Sequence, residues 1–188
     1  MEKLQRSHDV TVAWHSFELR PKGAPPIDPA YLARIQAARP QLYARARQDY
    51  GEEINPGPFG IDTRPALIGA KFAEAQGAGP AYHAAVMDAY WRKARNIEDV
   101  AVLADIAQAA GLDADAFALA LADPAHDGAV SADVDQAQIY GLTGVPALVF
   151  NNKYLIPGAQ PYPALAQAVE QIRQQEGGNG GNGTDTGD

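Results

Sequence analysis

The sequence predicts an α/β fold in which a small mixed unit is interrupted by a block of helices. Three observations predict it. Residues 10–19 are rich in β-branched and aromatic side chains and nearly free of helix signals. Residues 28–123 read as successive helices with caps at both ends. Near the C-terminus two short apolar runs flank Asn151-Asn152, a pair that tolerates the positive φ of a tight hairpin turn.

In order, residues 10–19 (Val-Thr-Val-Ala-Trp-His-Ser-Phe-Glu-Leu) read as a strand, closed by the loop Pro21-Lys22-Gly23-Ala24-Pro25-Pro26. Asp28 before Pro29 is the signature of an N-cap followed by proline at the first helical position. Pro40 is expected to kink or interrupt that helix, and Gly51 to close it. Residues 51–62, with Pro56, Gly57, Pro58 and Gly60, form a loop. Thr63 is expected to cap a helix ending at Gly77. In the next helix Tyr82, Val86, Ala89, Tyr90 and Lys93 share one stripe. Asn96, with Asp99 three residues on, suggests a further N-cap, and Gly111 the matching terminal glycine. A short helix over 114–122 follows. Ser131 is read as the cap of a helix through Tyr140, stopped by Gly141. Strands are expected over 147–150 and 153–156, and a last helix from Pro161 to about residue 175. Residues 177–188 contain no apolar side chain and read as a disordered Gly-rich tail.

With 188 residues and 46% hydrophobic content the chain is long enough for a core without metals or disulfides. A net charge of -8 argues against nucleic acid and anionic membranes, both of which reward a basic face. The absence of cysteine excludes structural disulfides and thiolate metal sites. The opening residues have no apolar signal region, and no stretch is apolar enough to span a membrane. A cytoplasmic protein is expected.

His8, His15, His83 and His126 are scattered, with no metal-ligand spacing, and no metal or cofactor is expected. The aspartates 113, 115, 123, 127, 133 and 135 lack the pattern of a calcium loop and read as caps and a solvated helix face. Ser7 and Ser16 show neither a paired base nor a nucleophile elbow. The strongest motif is Thr143-Gly144-Val145-Pro146, a tight turn feeding the apolar run Ala147-Leu148-Val149-Phe150.

These pieces resemble the DsbA-like thioredoxin family, and most closely its FrnE-type branch. The matching text is Trp14-His15-Ser16-Phe17-Glu18-Leu19-Arg20-Pro21, then Ala89-Tyr90-Trp91, then Asn96-Ile97-Glu98-Asp99-Val100-Ala101-Val102-Leu103 and Gly111-Leu112-Asp113. It ends with Tyr140-Gly141-Leu142-Thr143-Gly144-Val145-Pro146 and Tyr154-Leu155-Ile156-Pro157-Gly158-Ala159-Gln160-Pro161. The resemblance covers roughly residues 4–172.

The resemblance implies a thioredoxin-like fold that is incomplete, its first strand absent, with an all-helical insertion domain. Residues 1–27 and 127–176 would be the thioredoxin-like part and 28–126 the insertion. It implies that Gly144, Val145 and Pro146 bind a protein or peptide substrate, with Pro146 as the cis-proline. An X-Pro bond loses most of its trans preference, and the backbone before it can pair with an extended peptide. Family members carry a Cys-x-x-Cys pair at the start of the first helix, where the helix N-terminus lowers the thiol pKa. Nothing here matches that motif. Glu2-Lys3-Leu4-Gln5 matches the last turn of that helix, so the chain reads as truncated ahead of Met1, and as redox-inactive.

The function implied is protein-disulfide oxidoreductase at the level of the family. Two alternatives are a non-redox peptide-binding module and a glutathione-dependent isomerase of the kappa-transferase or 2-hydroxychromene-2-carboxylate isomerase type. The latter would make glutathione a partner. No catalytic residue is assigned within the chain.

Overall fold

The structure is a computed structural model and describes residues 1–179. The elements run α1 (Glu2–His8), α2 (Pro29–Tyr50), α3 (Arg64–Ala75), α4 (Gly79–Trp91), α5 (Val100–Ala109), α6 (Ala114–Ala120), α7 (Pro124–Ile139), β1 (Ala147–Phe150), β2 (Tyr154–Pro157) and α8 (Tyr162–Asn179). They fall into two compact units, Met1–His15 with the chain from Ala137 onward, and Ser16–Gln136. The β1–β2 hairpin lies with α1 and α8 in the first unit, and α2 to α6 lie in the second.

In the first unit β1 and β2 pair antiparallel, Leu148 opposite Ile156 and Phe150 opposite Tyr154. Asn151 and Asn152 turn the hairpin at φ 50° and 54°, the left-handed geometry that asparagine was expected to supply. The second strand sits one residue later than expected. Leu148, Phe150 and Ile156 face one side of this ribbon, because strand side chains alternate. There they join a core built on Leu4 of α1 and Leu165 and Val169 of α8.

The helical unit packs around Phe72, Ala73, Tyr82, Leu103, Ala107 and Phe117. The expected stripe of α4 holds in part: Tyr82 and Ala89 are buried, and Val86 and Tyr90 pack against the cluster. Gly69 of α3 lies where a Cβ would meet Tyr82 Oη at 2.4 Å and Phe117 at 2.7 Å, so only glycine lets α3 come this close.

Several expectations need correction. Residues 10–19 form no strand. Among the described residues no strand lies beside them, and the Ser16 N–H donates instead to an Asp133 carboxylate oxygen at 2.7 Å. Sequence supplies strand propensity, but a strand needs a neighbour. Pro40 does not interrupt α2; the carbonyl of Gln36, which it leaves without its helical donor, is on an exposed residue, where solvent is available to it. Thr63 makes no side-chain cap bond. Asp62 accepts from the Arg64 N–H instead. Asp99 rather than Asn96 caps α5. The helix expected from Ser131 starts at Pro124, where Asp123 accepts from the Ala125 N–H; aspartate followed by proline is the better start signal. Finally, α8 reaches Asn179, so residues 177–179, expected in the tail, are helical. The rest of that tail, 180–188, lies outside the described residues.

No described helix is long and apolar enough to cross a membrane.

Candidate functional site

The loop that carries Gly144, Val145 and Pro146 is set by the end of α7. Gly141 adopts φ 68°, its N–H donating to the Gln138 carbonyl and the Leu142 N–H to the Ala137 carbonyl, both at 2.9 Å. This left-handed cap ends the helix and turns the chain toward the hairpin. At the other end the Gly158 N–H donates to the Pro146 carbonyl at 2.8 Å, extending the β1–β2 ladder and fixing the loop's exit. The Val145-Pro146 peptide bond is cis.

Between these anchors the backbone is free. Among the described residues, neither the N–H nor the carbonyl of Thr143, Gly144 or Val145 makes a backbone hydrogen bond. Val145 is 58% exposed. A groove of about 280 Å³ opens along this stretch, lined by residues 141–147 with Leu155, Pro157 and Gly158. No lining residue is titratable, and the Thr143 hydroxyl is the one polar side-chain group among them. Such a wall can hold an extended chain by its backbone and apolar side chains. It supplies no acid, base or nucleophile.

The other candidate residues are placed as follows. Ser7, for which the sequence offered no base, has one: its Oγ lies 2.7 Å from His8 Nδ1 and 2.9 Å from the Tyr162 hydroxyl. His8 Nε2 is 3.7 Å from Glu170. The Ser7 hydroxyl is nonetheless engaged by its own helix, at 2.7 Å from the Lys3 carbonyl. Arg173 donates to the His8 carbonyl. The cluster ties α1 to α8; neighbours in sequence at a helix end gave no sign of it.

The aspartates divide. Asp113 and Asp123 cap helices as expected. Asp127 instead accepts from Arg64 Nε at 2.6 Å, and Arg64 also meets Glu18 at 2.8 Å and the Ser131 hydroxyl at 2.7 Å. The hydrogen bond from Arg64 holds the Asp127 carboxyl below its ordinary pKa. Asp133 pairs with Lys71 at 2.7 Å, both side chains only 12% exposed. Burial pulls the Lys71 ammonium down, but bonds to Asp133 and Glu74 outweigh it and its pKa is raised. Long-range pairings of this kind are invisible in the sequence. Among the described residues no three His, Cys, Asp or Glu side chains gather as a metal site.

Comparison with known proteins decides the family. Residues 1–170 match the DSBA-like thioredoxin domain. The chain belongs to that family. It is 27% identical over 181 residues to the uncharacterized protein YwbO of Bacillus subtilis, covering 93% of this chain and 88% of that one. Among solved structures it is similar to the probable DsbA oxidoreductase SCO1869 of Streptomyces coelicolor, at 28% identity and TM-score 0.71, covering 92% of this chain and 76% of that one. A 2-hydroxychromene-2-carboxylate isomerase superposes with TM-score 0.76 at 20% identity, covering 94% of this chain and 88% of the other; at that identity the likeness is one of fold. This DsbA-like chain thus has an incomplete thioredoxin fold with a helical insertion, and only a two-stranded sheet among its described residues.

Proposed function

We propose that the protein is a cytoplasmic, FrnE-type member of the DsbA family, and that residues 143–145 hold an extended polypeptide substrate for thiol–disulfide exchange. The observation that carries this reading is the run of unpaired backbone groups at Thr143, Gly144 and Val145 beside an uncharged groove. An extended peptide would add there as a strand adds to a sheet edge. In this reading residues 1–27 and 127–176 are the thioredoxin-like part and 28–126 its insertion.

The 188 residues contain no cysteine, so they carry out no exchange by themselves. The thiols would come from a Cys-x-x-Cys segment ahead of α1. One thiolate attacks the substrate disulfide and forms a mixed disulfide; the second attacks that bond and releases the reduced substrate. One feature supports a strand in the same segment: among the described residues β1 pairs only with β2, on one of its two edges.

The absence of any thiol favours one second reading, a peptide-binding module without redox chemistry. The isomerase reading stands third, because the groove lining offers no cation to the carboxylates of glutathione.

Two measurements on the 188-residue chain test the proposal. Titration of the isotope-labelled chain with an unfolded peptide should shift the amide resonances of Thr143, Gly144 and Val145. Insulin reduction by dithiothreitol should proceed no faster than with reductant alone. Turnover above that control, or peptide-induced shifts confined to other segments, would overturn it. Finding Cys-x-x-Cys in the upstream reading frame selects the oxidoreductase; its absence selects the binding module.

A further inference from the structure

We propose that the exposed face of α2 is a self-association surface that docks the acidic α6 face of a second copy of this chain. The helix is unusual for its length: over 22 residues it buries none. Tyr31, Arg34, Ala38, Leu42 and Arg45 follow one another at steps of three and four residues, so they share a single stripe. At 1.5 Å per residue that stripe is about 21 Å long. Tyr31 is 48% and Leu42 53% exposed.

The charge of the stripe selects its occupant. Residues 29–48 contain four arginines and no carboxylate, in a chain of net charge -8. Two of them are occupied elsewhere, Arg47 on Glu53 and Arg39 over the Phe59 ring. The two on the stripe are weakly held. Arg34 lies 5.2 Å from the Tyr31 ring centroid, and Arg45 is 3.9 Å from Asp49 with three-quarters of its side chain exposed.

The complement is in the same molecule. Residues 96–136 carry nine carboxylates and no lysine or arginine. Three of the nine are paired with cations outside that stretch, Asp105 with Arg95, Asp127 with Arg64 and Asp133 with Lys71. On α6, Asp115 is exposed and makes no ion pair among the described residues. One turn on, Leu119 is 76% exposed. An acid and a leucine on one face match an arginine and a leucine on the other. Two α2 faces set against each other would oppose arginine to arginine; α2 against α6 pairs opposite charges.

Sedimentation of the full chain over a range of concentrations, at low and high salt, tests this. Self-association is expected at low ionic strength, weakened about tenfold or more near 0.5 M salt, where the Debye length falls to a few ångströms. Arg34→Glu with Arg45→Glu should abolish it, as should Asp115→Lys, each with unchanged circular dichroism, since these side chains lie on exposed surfaces. Mixing the two charge-reversed proteins should restore a complex. A chain that stays monomeric at all concentrations, or association indifferent to these substitutions, overturns the proposal. So does a monomer whose α2 face binds polyglutamate or an oligonucleotide instead.

Discussion

Replacing Gly69 by alanine adds one methyl group at the tightest point of the helical core. The added carbon would stand 2.4 Å from Tyr82 Oη and 2.7 Å from two ring carbons of Phe117. Carbon–carbon contacts are optimal near 3.5–4.0 Å, so the rings must retreat by roughly 1 Å. Neither has room, as both side chains are 0% exposed. Overpacking of this kind costs about 1–3 kcal/mol. The Tyr82 hydroxyl would also leave the Ala66 carbonyl, but that contact is long at 3.4 Å and adds little. Against this, alanine is the better helix former by about 0.5–1 kcal/mol. The overlap wins, and the net loss is about 1–2 kcal/mol, or about 2–8 °C in melting temperature for a chain of this size. Gly128 provides the control. It lies inside α7 with nothing within 4 Å of its would-be Cβ, so the same substitution there should stabilise by about 0.5–1 kcal/mol. Thermal melts of the two variants should move in opposite directions, and Tyr82→Phe should recover part of the Gly69→Ala loss. Equal shifts, or a Gly69→Ala chain as stable as the parent, would refute the packing argument.

Asp133→Ala removes the partner of a poorly exposed lysine and orphans the N–H of Ser16, itself 6% exposed; a loss of about 3–5 kcal/mol is expected in denaturant titration. Glu74→Ala removes the more exposed partner of Lys71 and should cost under about 1 kcal/mol. Because the folded-state pKa of Lys71 is raised, its contribution is complete below the ordinary lysine pKa and fades as pH climbs through the higher folded value. Melts taken from about pH 9 upward should show this loss, and the Asp133→Ala variant should show less of it. Asn152→Val forces a β-branched residue to φ 54° and should destabilise the hairpin by about 1–2 kcal/mol, whereas Asn152→Gly should not; hydrogen exchange at β1 and β2 reads the difference.

Local chemistry made much of this protein legible in its sequence. Asp28 and Asp113 announce helix starts, Gly51, Gly111 and Gly141 announce ends, and Asn151-Asn152 announces the hairpin, because caps and turns are decided by a few neighbouring residues. The loop of Gly144, Val145 and Pro146 was likewise readable as a motif. Decisions that depend on partners distant in the chain were not. Residues 10–19 have the composition of a strand and, among the described residues, no ladder to join. Asp127 and Asp133 looked like solvated acids until folding brought Arg64 and Lys71 to them. Ser7 and His8 gained Tyr162 and Glu170 only when α8 packed on α1. The sequence by itself determined most helix ends and the hairpin turn; the tertiary structure alone decided which backbone groups remain unpaired and which charges are matched. Propensity acts between residues a turn apart, whereas pairing and burial act between residues that only the folded chain makes neighbours.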